Sequence, residues 1–142
     1  MTIGSVETFF PDLRAGMRQR LLTLAGLPAV AWEDVAYRPV KGTPYISEVV
    51  IPVSGQVRGT GRGGYLAHDV MVNLTLHYPS GVGTLAIEQM AGKIMNLFSP
   101  GMAISYSTAS VIIDQVERGG IITEADWLGL LVSISIVGHT AN

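Results

Sequence analysis

Between residues 68 and 78 the chain reads HDVMVNLTLHY, and apolar and polar side chains alternate along it. Val70, Val72, Leu74 and Leu76 fall on one side, Asp69, Asn73, Thr75 and His77 on the other. Successive side chains of a strand point to opposite faces, so this segment must lie in a sheet covered on one face only. The last periodic stretch, WLGLLVSISIV from Trp127, repeats the pattern with Leu128, Leu130, Val132, Ile134 and Ile136. Two strands of this kind demand a cover, and the apolar stripes that supply it must come from segments with a period near 3.6 residues.

Two segments have that period. Val6, Phe9, Phe10, Leu13, Met17, Leu21 and Leu24 stand at helical spacing, with Arg14 and Arg18 to one side. Pro11 suits the first turn of a helix better than its interior, which predicts a start near Phe10 or a kinked turn before it; Gly26 and Pro28 end the segment. After the turn PSGVG, Thr84 is placed to cap a second helix, whose Ile87, Met90, Ala91, Ile94 and Phe98 share a face opposite Gln89, Lys93 and Asn96.

The remaining segments read as strands and loops. AVAWEDVAY reads as a strand that enters the loop RPVKGTP, where Pro39, Gly42 and Pro44 forbid regular structure. From Tyr45 to Val57 the β-branched Ile46, Val49, Val50, Ile51, Val53 and Val57 predict a strand, and Pro52 puts it at an edge or a bulge. Short strands follow over 103–106 and 111–117. The order is α-β-β-β-α-β-β-β, an α+β class with an antiparallel or mixed β-sheet and two α-helices packed on one face, and residues 1–142 are read as one domain. Leu13, Val72, Leu74, Ile87, Ile94, Leu130, Val132 and Ile134 are the expected core.

Composition bears on what surrounds this domain. Hydrophobic residues make up 48% and charged residues 14%, against roughly a quarter charged in an ordinary soluble chain. So charge-poor a surface suggests that copies or partners cover part of it. Residues 1–62 hold seven basic and five acidic side chains, residues 63–142 two and six, an asymmetry suited to head-to-tail contacts. The absence of cysteine excludes thiolate chemistry and disulfides. No signal-peptide pattern opens the chain, and the uncharged run 94–113 is broken by Asn96, Ser99, Pro100 and Gly101, so no membrane span and a cytosolic site of synthesis are expected.

Chemical motifs are sparse. GTGRGG at 59–64 fits the G-x-G-x-x-G spacing, but a dinucleotide fingerprint opens a helix and here a strand is expected to follow. The stretch therefore reads as a long hairpin loop carrying Arg58 and Arg62, and no cofactor is expected. His68, His77 and His139 show no metal-ligand spacing, His68 and Asp69 read as surface polar residues, and Glu33/Asp34 and Glu124/Asp126 sit in expected turns or strand ends. Arginines are not interleaved with aromatics along one element, so no sequence-specific nucleic-acid binding is expected. In the first helix, Arg20 falls inside the apolar stripe and Leu22 on the opposite side, which marks both as candidates for an assembly interface.

AWEDVAYRPVKGTPYI orders Trp32, Glu33, Tyr37, Pro39, Gly42, Thr43, Pro44 and Tyr45 as W-E-x-x-x-Y-x-P-x-x-G-T-P-Y, and YPSGVGT follows at 78–84. The two motifs resemble the tail terminator family of siphophages, phages with long non-contractile tails. The resemblance implies a viral structural protein without enzymatic activity: a homohexamer ring that caps the tail tube, stops its polymerisation and provides the head-tail joining interface. It implies as partners a tail tube protein and a head completion or connector protein, with DNA passing through the ring, and a place at the head-proximal end of the virion tail after assembly in the host bacterial cytoplasm. Trp32, Tyr37, Pro39, Gly42, Pro44 and Tyr45 would structure the 38–45 loop. VRGTGRGG would occupy the loop mobile in the free subunit and ordered on assembly, with Arg58 and Arg62 as assembly contacts. Another head-to-tail joining or minor tail protein remains an alternative, and a small-molecule or nucleotide-binding enzyme a more distant one.

Overall fold

A computed structural model describes residues 4–58 and 64–141, with Arg58 described by its backbone alone. In chain order the elements are α1 (Val6–Leu21), β1 (Ala29–Ala31), β2 (Tyr45–Arg58), β3 (Tyr65–Pro79), α2 (Leu85–Leu97), β4 (Ala103–Tyr106), β5 (Ala109–Arg118), β6 (Ile122–Glu124) and β7 (Trp127–Ala141). The strands form one seven-stranded sheet in the order β1-β2-β3-β7-β5-β4, with β6 paired to β7 outside that path. All pairs are antiparallel except β1 with β2. This is the α+β arrangement and element order read from the sequence, with the three-residue β6 inserted before the last strand.

The spine of the sheet is the β3–β7 pair, in continuous register from Tyr65↔Ala141 to Pro79↔Trp127. It places Val72 opposite Ile134, Leu74 opposite Val132 and Leu76 opposite Leu130. All six are buried, as are Leu13, Ile87 and Ile94, so every residue of the expected core lies in it. On the other face Ser133 Oγ donates to Asn73 Oδ1 at 2.8 Å, and Val49, Ile51, Ile112 and Leu131 are exposed. A register slip of one residue would exchange these two sets, which is why the pairing is specified along its length.

Both helices lie on the buried face. α1 turns Phe9, Leu13, Gly16, Met17 and Leu21 inward, and α2 turns Ile87, Met90, Ala91 and Ile94 inward. α1 begins at Val6, so Pro11 lies inside the helix instead of in its first turn. Proline removes one helical hydrogen bond there, but Phe9 is buried and stacked on His68 with ring centroids 4.7 Å apart, and this packing holds the first turn to the sheet. The helix also stops at Leu21; Leu24 lies in the turn that follows, packed against the core. Thr84 occupies the N-cap position of α2 with φ −105° and ψ −4°, a helical conformation, and its side chain caps nothing. Strand β1 is shorter than the apolar run around it, because the chain turns at 33–35 where Asp34 adopts φ 60°.

Two glycines set how closely α1 approaches. A Cβ at Gly16 would stand 3.1 Å from Tyr106 Cβ and one at Gly138 would stand 2.5 Å from Phe9 Cε1. Gly138 is thus the seat of the Phe9 ring. Replacing Gly138 with alanine is expected to destabilise the fold by about 1–3 kcal/mol through overpacking, with Phe9→Leu in the same chain recovering part of the loss; equilibrium urea unfolding of the parent and the two variants measures both.

Candidate assembly site

Alternation along β2 puts Glu48 between Ile46 and Val50 on the helix-covered face, where it is only 3% exposed. Buried carboxylates need partners. Arg18 provides one: its Nη2 donates to Glu48 Oε1 at 2.7 Å and its Nε to both oxygens at 3.1 and 3.2 Å. The Arg18 guanidinium also lies over the Trp32 ring, 5.0 Å from its centroid. Beside it, Glu33 Oε1 accepts from Arg14 Nη1 at 2.7 Å and from the Val50 backbone N–H at 3.0 Å. Those two donors hold the Glu33 carboxyl below the usual carboxylate range, the backbone N–H contributing most, and the Glu48 carboxylate raises the pKa of Arg18 further. Arg14, Arg18, Trp32, Glu33 and Glu48 therefore rivet α1 to the β1–β2 edge. Sequence reading missed Glu48, though its place between Ile46 and Val50 was the available signal.

Arg18→Met would leave the Glu48 carboxylate buried without its cation and is expected to cost about 3–5 kcal/mol. Arg18→Met with Glu48→Met should recover most of that loss, read by chemical denaturation of both variants.

The residues of the 38–45 loop meet a second cluster. Tyr37 and Tyr45 rings lie 5.1 Å apart, Tyr45 stacks on His77 at 4.3 Å, and Trp127 meets Tyr45 edge-on at 5.4 Å. Ser47 Oγ hydrogen-bonds His77 Nε2 at 3.1 Å. Gly42 has φ 83° in the turn closed by Thr43 N donating to Val40 O at 3.0 Å. Pro39 is exposed and Pro44 half-buried. Trp32 stands apart from this cluster, over Arg18.

His68 is a correction to its reading as a surface residue. It is 6% exposed, and its Nε2 lies 2.9 Å from Thr140 Oγ1 in a buried hydrogen bond. The strand alternation that sends Asp69 outward, to Ser54 Oγ at 2.9 Å, sends His68 in against Phe9 and Phe10. Burial pushes the His68 imidazole below the usual histidine range, with His139 adding a smaller push, and burial does the same to His77 against an opposing pull from Glu124. The unfolded chain then takes up protons more readily than the folded one. Stability is full above the unfolded histidine value of about 6.5 and is lost as the pH falls through it toward the lower folded values. A lower Tm at pH 5.5 than at pH 7.5 is expected, with a smaller drop in His68→Gln, measured by calorimetry.

Arg20 and Leu22, two of the four assembly candidates, differ in their surroundings. Arg20 turns toward α2 and β4, its Nη2 donating to Leu97 O at 3.3 Å and to Met102 Sδ at 3.1 Å, whereas Leu22 is 61% exposed. Arg58 closes β2 opposite Tyr65, and Arg62, like most of GTGRGG and the expected mobile loop, lies outside the described residues. The two strands flanking that stretch pair antiparallel and no helix begins after it, so the helix N-terminus of a dinucleotide site is missing. Among the described residues, no group of three or more histidines or carboxylates is placed to hold a metal ion, and no helix is long and apolar enough to cross a membrane.

A family model described as "Phage tail terminator protein" matches residues 12–136. The chain belongs to this phage tail terminator family. It is a structural phage tail protein, a component of the virion tail that acts with other tail or head proteins. No curated protein matches the chain. Fourteen chains of solved structures do; one is 17% identical with a TM-score of 0.74 over 90% of this chain and 94% of its own, a likeness of fold alone. All the assembly and loop residues discussed above fall within the range matched by the tail terminator model.

Proposed function

We propose that this tail terminator family protein, acting as a single domain, forms a homohexamer ring on the head-proximal end of a siphophage tail tube, stops its polymerisation and presents the surface that joins the head. The observation that carries the reading is that the two borders of the sheet are open and unlike. On one side β4 is outermost. On the other β1 covers only Tyr45–Ser47 of β2, and the rest of that strand, with Val53 and Val57 exposed, has no strand beyond it among the described residues. Unlike borders on one subunit suit heterologous, head-to-tail contacts, and those close into rings when the rotation between copies allows. The opposite charge balance of the two halves of the chain supports the same arrangement.

In this reading Arg58, the last residue of β2, and Arg62 contact a neighbouring subunit or the tube protein. Charges on a solvated hairpin tip add little to the stability of one subunit, while carboxylates of a partner can order and pair with them. Arg58→Ala with Arg62→Ala should leave the Tm nearly unchanged and weaken ring formation or tube capping about tenfold or more, and raised salt should reproduce the defect in the parent protein. Light scattering and electron microscopy of the protein with and without purified tail tubes read both. A parent protein that stays monomeric at high concentration and leaves tube ends bare overturns the ring.

A further inference from the structure

Between α1 and β4 lies an open cavity of about 370 Å³, lined by Gly16, Gln19, Arg20, Thr23, Ala103, Ile104 and Ser105. Arg20 is the charged group in its wall. Two properties set it apart from the other arginines of α1. Arg14 and Arg18 each hold a carboxylate, but no carboxylate among the described residues pairs with Arg20. Its Nη2 makes only the bonds to Leu97 O and Met102 Sδ, and its Nε is buried with no acceptor at all. A guanidinium is a planar fork of five donors matched to a carboxylate, and here most of the fork is unused. The cavity also borders β4, the outermost strand, half of whose backbone groups face away from β5 with no sheet partner.

A complementary group lies on the same chain where it cannot reach this cavity. Glu124 at the end of β6 and Asp126 in the two-residue turn that leads into β7 are both exposed, close to Ile122, which is 64% exposed. Ser80 pins this turn, its N–H donating to Asp126 O at 2.9 Å and its Oγ to Ala125 O at 3.3 Å. Asp126 has only a loose contact with Lys41 at 3.9 Å, between two exposed side chains. The acidic turn sits at the Trp127 end of β7, while β5 brings β4 to the Val137 end. Those ends are about 30 Å apart at the rise of a strand. Group and cavity are therefore separated within one subunit and available between two.

We propose that the α1–β4 cavity receives the acidic β6–β7 turn of a second copy, with Arg20 as the donor to its carboxylates. The proposal rests on the ring reading above and deepens it by naming the two surfaces that meet. A carboxylate entering the cavity accepts from Nη1 and, with a small turn of the guanidinium, from Nε, which ends the unsatisfied state of that atom. The turn is pinned before contact, so little ordering is lost on binding. Lys41 releases Asp126 readily because their contact is long and exposed.

The cysteine-free chain allows a direct test. Ser105→Cys is made in one tagged copy and Ala125→Cys in another, and the two are mixed under mild oxidation with and without tail tubes. The expected product is the mixed disulfide pair, well in excess of either like pair, and Arg20→Ala in the Ser105→Cys copy should reduce it about tenfold or more at an unchanged Tm. If Arg20→Ala lowers the Tm, Arg20→Glu against Glu124→Arg and Asp126→Arg replaces it, and restored cross-linking in that exchanged pair supports the contact. A mixed pair no more abundant than the like pairs, in both conditions, overturns the proposal. A ring that forms on tubes without this cross-link sinks the contact alone, whereas the cross-link without any ring sinks only the closed ring.

Discussion

Burial of one face of the β3–β7 pair is the constraint on which the rest of this structure depends. The two strands run together for fifteen residues each and carry a row of valine, leucine and isoleucine on one side, from Val70 to Leu76 and from Leu128 to Ile136. A row of that length cannot be covered by neighbouring strands, so two amphipathic helices lie across it. The position of α1 follows from where the sheet admits it, at Gly138 under Phe9 and beside Tyr106 at Gly16. The opposite face needs no cover to complete the fold, and its Asn73–Ser133 hydrogen bond and scattered apolar side chains leave it open.

Electrostatics then sorts the arginines of α1 by function. Arg14 and Arg18 are spent inside the subunit, on Glu33 and on the buried Glu48, and they lock the helix to the β1–β2 border. A buried carboxylate gripped by the Nε and Nη2 edge of a guanidinium adds little net stability compared with an apolar pair, but it leaves one arrangement of helix and strand as the acceptable one. Arg20, two residues further on, has no such partner and faces the opposite border. Charge satisfied within the chain and charge left over thus lie on different sides of one helix.

That division fits a tail terminator. In the proposed ring a subunit meets its own copies through two unlike borders, and this sheet ends in β4 on one side and in a mostly uncovered β2 on the other. Among the perturbed groups, His68 and His77 are set in packing and Glu33 is held by the Val50 backbone N–H and Arg14, each explained by the fold it supports.

The fold was legible in the sequence wherever a period was long enough to be unambiguous. The alternation in 68–78 and from Trp127, and the stripe from Ile87 to Phe98, report burial directly because side-chain direction follows from local backbone geometry. The W-E-x-x-x-Y-x-P-x-x-G-T-P-Y pattern likewise pointed to the family that the match over 12–136 establishes. Local signals failed where a distant contact outweighed them. Pro11 belongs in a first turn by its own chemistry, yet Phe9 in the seat of Gly138 extends the helix past it. His68 reads as a surface residue until Thr140 and Phe9, far along the chain in either direction, are seen to enclose it. Glu48 reads as a strand charge until Arg18 is brought over it. Arg20 could be singled out from its stripe, but that its Nε lacks an acceptor is a property of three elements meeting around it. Periodicity along the chain determines which face of each element is apolar; partners between elements are set only when the chain closes on itself, because a hydrogen bond or an ion pair depends on distances that no sequence spacing contains.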